Sequence, residues 1–194
     1  MRLLTILLIC VTMFSCGRSD KPDYTAKPKD TVQDKVGRKT VILAPTDGTD
    51  AMNTINTGAT SPQELIAFAR TAIGIPYKYA SSNPQEGFDC SGFITYVFNH
   101  FHIAVPRTST DFTNVKHEVP LQSACPGDLI LFTGTDSHIR TVGHMGIITE
   151  AFGDSVKFIH STSGRANGVT ISNLRPAYME RFVKVVRVFK QNDE

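Results

Sequence analysis

Cys90 carries the most reactive side chain of the sequence in a setting able to use it. It stands in Phe88-Asp89-Cys90-Ser91-Gly92, and the apolar residues that follow, Phe93, Ile94, Val97, Phe98 and Phe101, fall at helical spacing. Asp89 is a good helix N-cap, because its carboxylate accepts bonds from free backbone N–H groups of the first turn. Cys90 then lies in that turn, at the positive end of the helix dipole. A thiolate is stabilised there, so the expectation is a thiol of lowered pKa acting as a nucleophile. Ser91 and Gly92 are small and let another molecule approach closely. A buried core cysteine is the commoner fate of a lone Cys and fits the local sequence as well, so the choice turns on the base.

Cysteine hydrolysis needs a base within hydrogen-bond reach of the thiol and a third group to orient it. Histidine suits the task because its pKa sits near neutrality. Of six histidines, His100 and His102 lie too far along the Cys90 helix to turn back on it. His117 sits in a polar stretch, and His138 lies in the loop between Thr133 and Val142. His144 precedes Met145-Gly146-Ile147-Ile148, and His160 follows Phe158-Ile159. Each stands at the edge of an apolar run, and antiparallel pairing of those runs brings the two side chains to one face.

The positioning elements change character along the chain. Ser61-Pro62-Gln63-Glu64 reads as a capping box with Pro at the first helical position. Leu65, Ile66, Phe68, Ala69, Ala72 and Ile73 give that helix its apolar face, and Gly74-Ile75-Pro76 stops it. A polar loop covers Tyr77 to Gly87, the Cys90 helix runs to about His102, and Val105-Pro106-Arg107 ends it. A short helix capped by Thr108 or Ser109 is expected before Val115. After Pro126-Gly127 the pattern becomes that of strands: 128–132, 144–150, 156–160, 169–172 and 183–189, Val/Ile/Phe-rich and separated by turn residues. Helices followed by strands predict an α+β domain with an antiparallel sheet.

Asp89-Cys90-Ser91-Gly92-Phe93, Pro126-Gly127-Asp128-Leu129-Ile130 and His144-Met145-Gly146-Ile147-Ile148 resemble, in order and rough spacing, the NlpC family of cell-wall cysteine peptidases. Gly74-Ile75-Pro76-Tyr77, Val105-Pro106-Arg107 and Phe158-Ile159-His160-Ser161 match further motifs of that family. The resemblance runs from about Pro62 to Phe189. It implies a papain-like α+β fold, with a nucleophile helix packed on an antiparallel sheet. It also implies a Cys-His-His triad hydrolysing peptidoglycan stem peptides or their crosslinks, with Cys90 the nucleophile, His144 the base and His160 the orienting group. Tyr77, Asp89, Ser91 and Arg107 carry over as substrate-binding residues. For Arg107 a fold-stabilising ion pair is an equal alternative, and Cys125 matches no catalytic position and reads as a small core residue. The sequence departs from the family pattern at Ala80-Ser81, where many relatives carry Gly, near Phe112, where a Gln is missing, and in the long 133–142 loop.

The N-terminus carries Met1-Arg2, an apolar run from Leu3 to Phe14, then Ser15-Cys16-Gly17. The run is too short to span a membrane as a helix. It resembles a bacterial lipoprotein signal, which implies lipidation at Cys16; Met13 and Phe14 depart from the usual motif, and Cys10 fits worse because Ile9 is bulky. A plain secretory signal or an uncleaved anchor is the alternative. The organisation expected is a signal at 1–15, a polar tether at 16–60 with a mean reach of roughly 35–40 Å, and a peptidase domain at 61–194. The resemblance then implies a monomer lipid-anchored to the outer membrane of a Gram-negative envelope, with peptidoglycan as its partner. A formal charge of +2 with no Lys/Arg block argues against a nucleic-acid partner. No cofactor and no metal are expected, since no His-x-x-x-His or Cys-x-x-Cys spacing favours a zinc hydrolase. A non-catalytic wall-binding module and an acyltransferase on the same fold are the other readings.

Overall fold

The computed structural model describes residues 54–153 and 155–193. The signal, Cys10, Cys16 and the tether up to residue 53 lie outside the described residues. The structured part reaches back past Ser61, because Ile55 and Thr57 are already buried.

The first helix, α1 (Pro62–Thr71), starts as the sequence leads one to expect. The Glu64 backbone N–H donates to Ser61 Oγ at 3.3 Å, and the Ser61 N–H donates to the Glu64 carboxylate at 2.8 Å. Two otherwise unpaired donors of the first turn are thereby satisfied. The stretch after α1, expected as a plain loop, contains a small hairpin of β1 (Ser82–Asn83) and β2 (Gly87–Phe88). It leads directly into α2 (Cys90–His100), which ends slightly earlier than expected, His102 taking the left-handed conformation at φ 57°. The short helix expected before Val115 is one 3-10 turn, Asp111–Asn114, entered through Thr108, whose hydroxyl accepts from the Asp111 N–H at 3.3 Å.

Six strands follow: β3 (Glu118–Val119), β4 (Leu129–Thr133), β5 (Val142–Phe152), β6 (Ser155–Thr162), β7 (Gly168–Asn173) and β8 (Phe182–Val186). A short helix, α3 (Pro176–Met179), lies between the last two. They form an antiparallel sheet in the order β3-β8-β4-β5-β6-β7. The fold is therefore α+β, with the Cys90 helix on an antiparallel sheet. Neither β3 nor α3 was expected, as each is too short to show a periodic pattern. The strand expected over 183–189 ends at Val186, although the Arg187 N–H still donates to the His117 carbonyl at 2.9 Å, one step along the β3 register.

Alternation along β4, β5 and β6 separates two apolar layers. Leu129, Leu131, Met145, Ile147 and Ile159 pack with the buried residues of α2, Phe93, Ile94, Val97 and Phe98. Ile130, Phe132, Ile148, Phe158 and Val185 form a second cluster. All four of those α2 side chains are fully buried. At about 1.5–3 kcal/mol each, they contribute as much as a typical domain's whole net stability. The helix cannot shift on the sheet without unfolding the domain, so its first turn is a fixed platform.

The Pro126-Gly127-Asp128 turn is held by a buried network. The fully buried Asp128 carboxylate accepts from the Arg187 guanidinium at 3.3 and 3.4 Å and from the Cys125 N–H at 2.8 Å. Cys125, expected in the core, is only partly buried; its sulfur lies 3.3 Å from Arg187 Nη2. The network leaves it at the rim of the domain, and both it and Cys90 are free thiols.

Candidate active site

Cys90 is the first residue of α2, and Asp89 caps the helix by accepting from the Gly92 N–H. The cap fixes the direction in which Cys90 leaves the backbone. Cys90 is 9% exposed, and its thiol donates to the Gly143 carbonyl at 3.8 Å. The lowered thiol pKa expected from the helix dipole is not what the site produces. Burial pushes the thiol above its ordinary 9.0, the Asp89 carboxylate adds to that, and the Ser91, Cys90 and Met145 backbone N–H groups pull it only partly back. The dipole contribution is outweighed because the sulfur has lost most of its water.

His144 enters from β5, and a bulge aims it. Phe132 pairs with His144 while the next residue, Thr133, pairs with Val142, so Gly143 is the extra residue. A bulge of this kind bends a strand and redirects the side chain beside it. Only glycine fits at the bend: a Cβ on Gly143 would lie 2.8 Å from the Gly134 Cα. Burial, then the adjacent His160 and the charge of Arg181, hold the His144 pKa well below the ordinary 6.5.

His160 comes from the neighbouring strand β6. Ile147 pairs with Ile159, so Gly146 stands beside His160, and a Cβ there would come within 3.2 Å of the His160 Cβ. The gap left by Gly146 lets the two imidazoles meet diagonally: His144 Nε2 lies 2.8 Å from His160 Nδ1. The far nitrogen of His160, Nε2, is 3.0 Å from Ser172 Oγ on β7, a partner the sequence reasoning missed. Ser172 was inside an expected strand, but only the strand register, Phe158 opposite Ser172, turns it toward His160. His160 is fully buried, between Phe158 and Tyr178, and burial and then the Arg181 charge lower its pKa to about 4. Both rings are thus neutral near pH 7. For His144 Nδ1 to take a proton, Nε2 must carry one and donate it to His160 Nδ1; His160 Nε2–H then donates to Ser172 Oγ.

A cleft of about 720 Å³ opens over Cys90 and His144, and Tyr77, Gly143, Tyr178 and Arg181 are among its walls. Of the four residues expected to bind substrate, Tyr77 lines this cleft. Burial raises its hydroxyl pKa, with smaller contributions from the neighbouring Cys90 and Asp89. Asp89, Ser91 and Arg107 are not on its walls; they are joined to one another beside it. Arg107 donates to Ser91 Oγ at 3.0 Å and to the two Asp89 carboxylate oxygens at 3.4 and 3.2 Å. The ion-pair alternative for Arg107 is therefore present, and it braces the N-cap of α2. Of the other histidines, His100 stacks on Phe68 with ring centres 3.6 Å apart. The 133–142 loop is pinned by Arg140, which donates to the Glu180 and Phe182 carbonyls. Among the described residues no group of three or more His, Cys, Asp or Glu is placed to hold a metal ion.

Comparison with known proteins agrees with this architecture. Residues 74–188 match the NlpC/P60 family. The chain is 33% identical over 132 residues to a gamma-DL-glutamyl hydrolase of Bacillus subtilis, covering 68% of this chain and 30% of that protein. It is 32% identical over 132 residues to the peptidoglycan endopeptidase RipB of Mycobacterium tuberculosis, covering 61% of this chain and 50% of RipB. The chain thus spans half or less of the length of these curated relatives. Among solved structures, an NlpC/P60 family protein of Bacillus cereus superposes with a TM-score of 0.57 at 31% identity, covering 69% of this chain and 42% of that one.

Proposed function

The chain belongs to the NlpC/P60 family, and from that premise we propose that it is a cysteine endopeptidase cleaving amide bonds in peptidoglycan stem peptides or their crosslinks. The observation that carries this reading is the 2.8 Å contact between His144 Nε2 and the buried His160 Nδ1, with His144 lining the same cleft as a thiol at a helix start. Relatives described as a peptidoglycan endopeptidase and a gamma-DL-glutamyl hydrolase support the substrate class.

In this mechanism Cys90 gives its proton to His144 Nδ1, and the sulfur attacks the amide carbonyl. His144 is held in the required tautomer by His160, and His160 by Ser172. The oxyanion is met by the Cys90 backbone N–H, which the helix leaves without an internal partner. His144 then protonates the leaving amine as the C–N bond breaks. Water, deprotonated by His144, cleaves the thioester and restores the thiol. Because the free site holds a neutral thiol beside a neutral imidazole, the ion pair forms with substrate bound and is not stored beforehand. The test is cleavage of a defined stem peptide, read by mass spectrometry, with Cys90→Ala as the control.

The N-terminal reading belongs to the same proposal: a signal at 1–15, lipid on Cys16, a tether, and a catalytic domain held at the outer membrane, on its periplasmic or its surface face. Its support is the apolar run followed by Ser15-Cys16-Gly17. Intact-mass analysis of the membrane fraction should find a chain beginning at Cys16 and heavier than its sequence. An unmodified, soluble mature chain would refute the anchor without touching the peptidase reading.

A further inference from the structure

Arg181 is the one strong cation on the wall of the cleft among the described residues, and the fold holds it there without giving it an anion. Its backbone is locked between α3 and β8: its N–H donates to the Tyr178 carbonyl at 3.1 Å, and its carbonyl accepts from the Thr133 N–H at 2.8 Å. The guanidinium donates through Nη1 to the Gly134 carbonyl at 3.1 Å and lies 5.4 Å from the centre of the Tyr178 ring. Those contacts fix its plane and leave most of its five N–H donors free. None of the ion pairs formed by the described residues includes it. Glu180 also lines the cleft, yet it is exposed and makes no pair with Arg181. Thr135 and Ser137 add hydroxyls on the adjoining wall.

Building on the peptidase reading, we propose that Arg181 anchors a free carboxylate on the leaving half of the substrate, so that a leaving residue whose second carboxylate is unmodified is cleaved in preference to one whose carboxylate is amidated. Direction follows from chemistry. His144 protonates the leaving amine, so the leaving half lies on the His144 side of the cleft. Arg181 is on that side: it lies over the Tyr178 ring, Tyr178 packs edge-on against His160 with ring centres 5.7 Å apart, and His160 touches His144. A planar guanidinium with parallel free donors matches a carboxylate in two-point contact. A stem-peptide bond to a diamino acid, whether from D-glutamate or from D-alanine, releases an amine of that residue and leaves a carboxylate on the leaving half.

The placement also gives the anchor a role in turnover. An unpaired positive charge beside His144 opposes the imidazolium that the reaction must form. A substrate carboxylate seated on Arg181 neutralises that charge at the moment when the proton leaves Cys90. Binding of the acidic leaving group and activation of the base are then one event, and a peptide lacking the carboxylate loses on both counts.

The experiment compares two stem peptides, L-alanyl-γ-D-glutamyl-diaminopimelyl-D-alanine with the diamino acid's side-chain carboxylate free or amidated, by kcat/KM. The wild-type chain should favour the free carboxylate by about tenfold or more, the range of a charge-assisted contact. In Arg181→Gln the ratio should fall to near one. Arg181→Lys, which keeps the charge but not the fork, should retain part of the preference. Thermal melts establish that both variants are folded. A folded Arg181→Gln with the wild-type ratio overturns the anchor, as does a wild type indifferent to amidation, and either result leaves the peptidase reading standing. A wild type that cleaves neither peptide, nor a crosslinked pair of such stems, overturns both.

Discussion

His160 Nδ1 lies 2.8 Å from His144 Nε2 and its Nε2 lies 3.0 Å from Ser172 Oγ, so in the tautomer the mechanism requires it supplies an acceptor on one side and a donor on the other. An amide side chain has both. His160→Asn or His160→Gln should therefore keep measurable turnover, while His160→Leu, with neither, should lose on the order of 10²-fold or more in kcat with little change in KM. Steady-state kinetics on one stem peptide, with melts to confirm folding, decides this; equal rates in the Leu and Gln variants would make His160 structural only. That Cys90 opens a helix and that His144 and His160 meet was legible, because each stands at the start or edge of an apolar run whose period gives its element away. Ser172 and Arg181 were not. A serine in a strand and an arginine after a short helix look ordinary until register and packing point them at the imidazoles. The thiol pKa went the other way from the local sequence for a similar reason. The helix start is visible in the sequence, but the burial that outweighs it arises only in the packed domain, where the Gly143 carbonyl, more than fifty positions away, faces the sulfur.

At the scale of elements, the site depends on where β5 bends. The bulge at Gly143 lies on the segment that carries both the carbonyl facing Cys90 and the ring of His144. Gly143→Ala has no room for its methyl group against Gly134. Relief requires the strand or the 133–142 loop to move, and a displacement of about 1 Å at a reacting group costs on the order of 10²-fold in rate. The expected outcome is a folded protein whose kcat falls by roughly that factor, measured beside a melt that changes little; wild-type turnover in Gly143→Ala would show that the bulge does not aim the base. The strands themselves were readable from alternating Val, Ile and Phe, and α1 from its capping box. The bulge was not, because Val142-Gly143-His144 carries no mark that distinguishes an extra residue from a paired one. The small hairpin of β1 and β2 was hidden too, since two-residue strands have no period.

Across the whole molecule, two chain segments far apart in sequence meet at one cleft. The α2 platform is anchored by its four buried side chains, the sheet supplies the histidines and the α3–β8 connection supplies the cation, so nucleophile and base come from different elements packed in one core. The division into helical and strand halves could be read from the sequence; the way the sheet brings the α3–β8 connection back to the cleft depends on a strand order, β8-β4-β5-β6-β7, that is not the order of the chain. Cys125 offers an internal control, being a second free thiol at the rim of the domain and tied to Arg187 rather than to the cleft. The most direct test of the account is therefore digestion of one defined stem peptide by wild type, Cys90→Ala and Cys125→Ser, with products identified by mass spectrometry and folding checked by melt. The account predicts cleavage at a bond to the diamino acid by wild type and Cys125→Ser, and none by a folded Cys90→Ala; cleavage that persists in Cys90→Ala would contradict it.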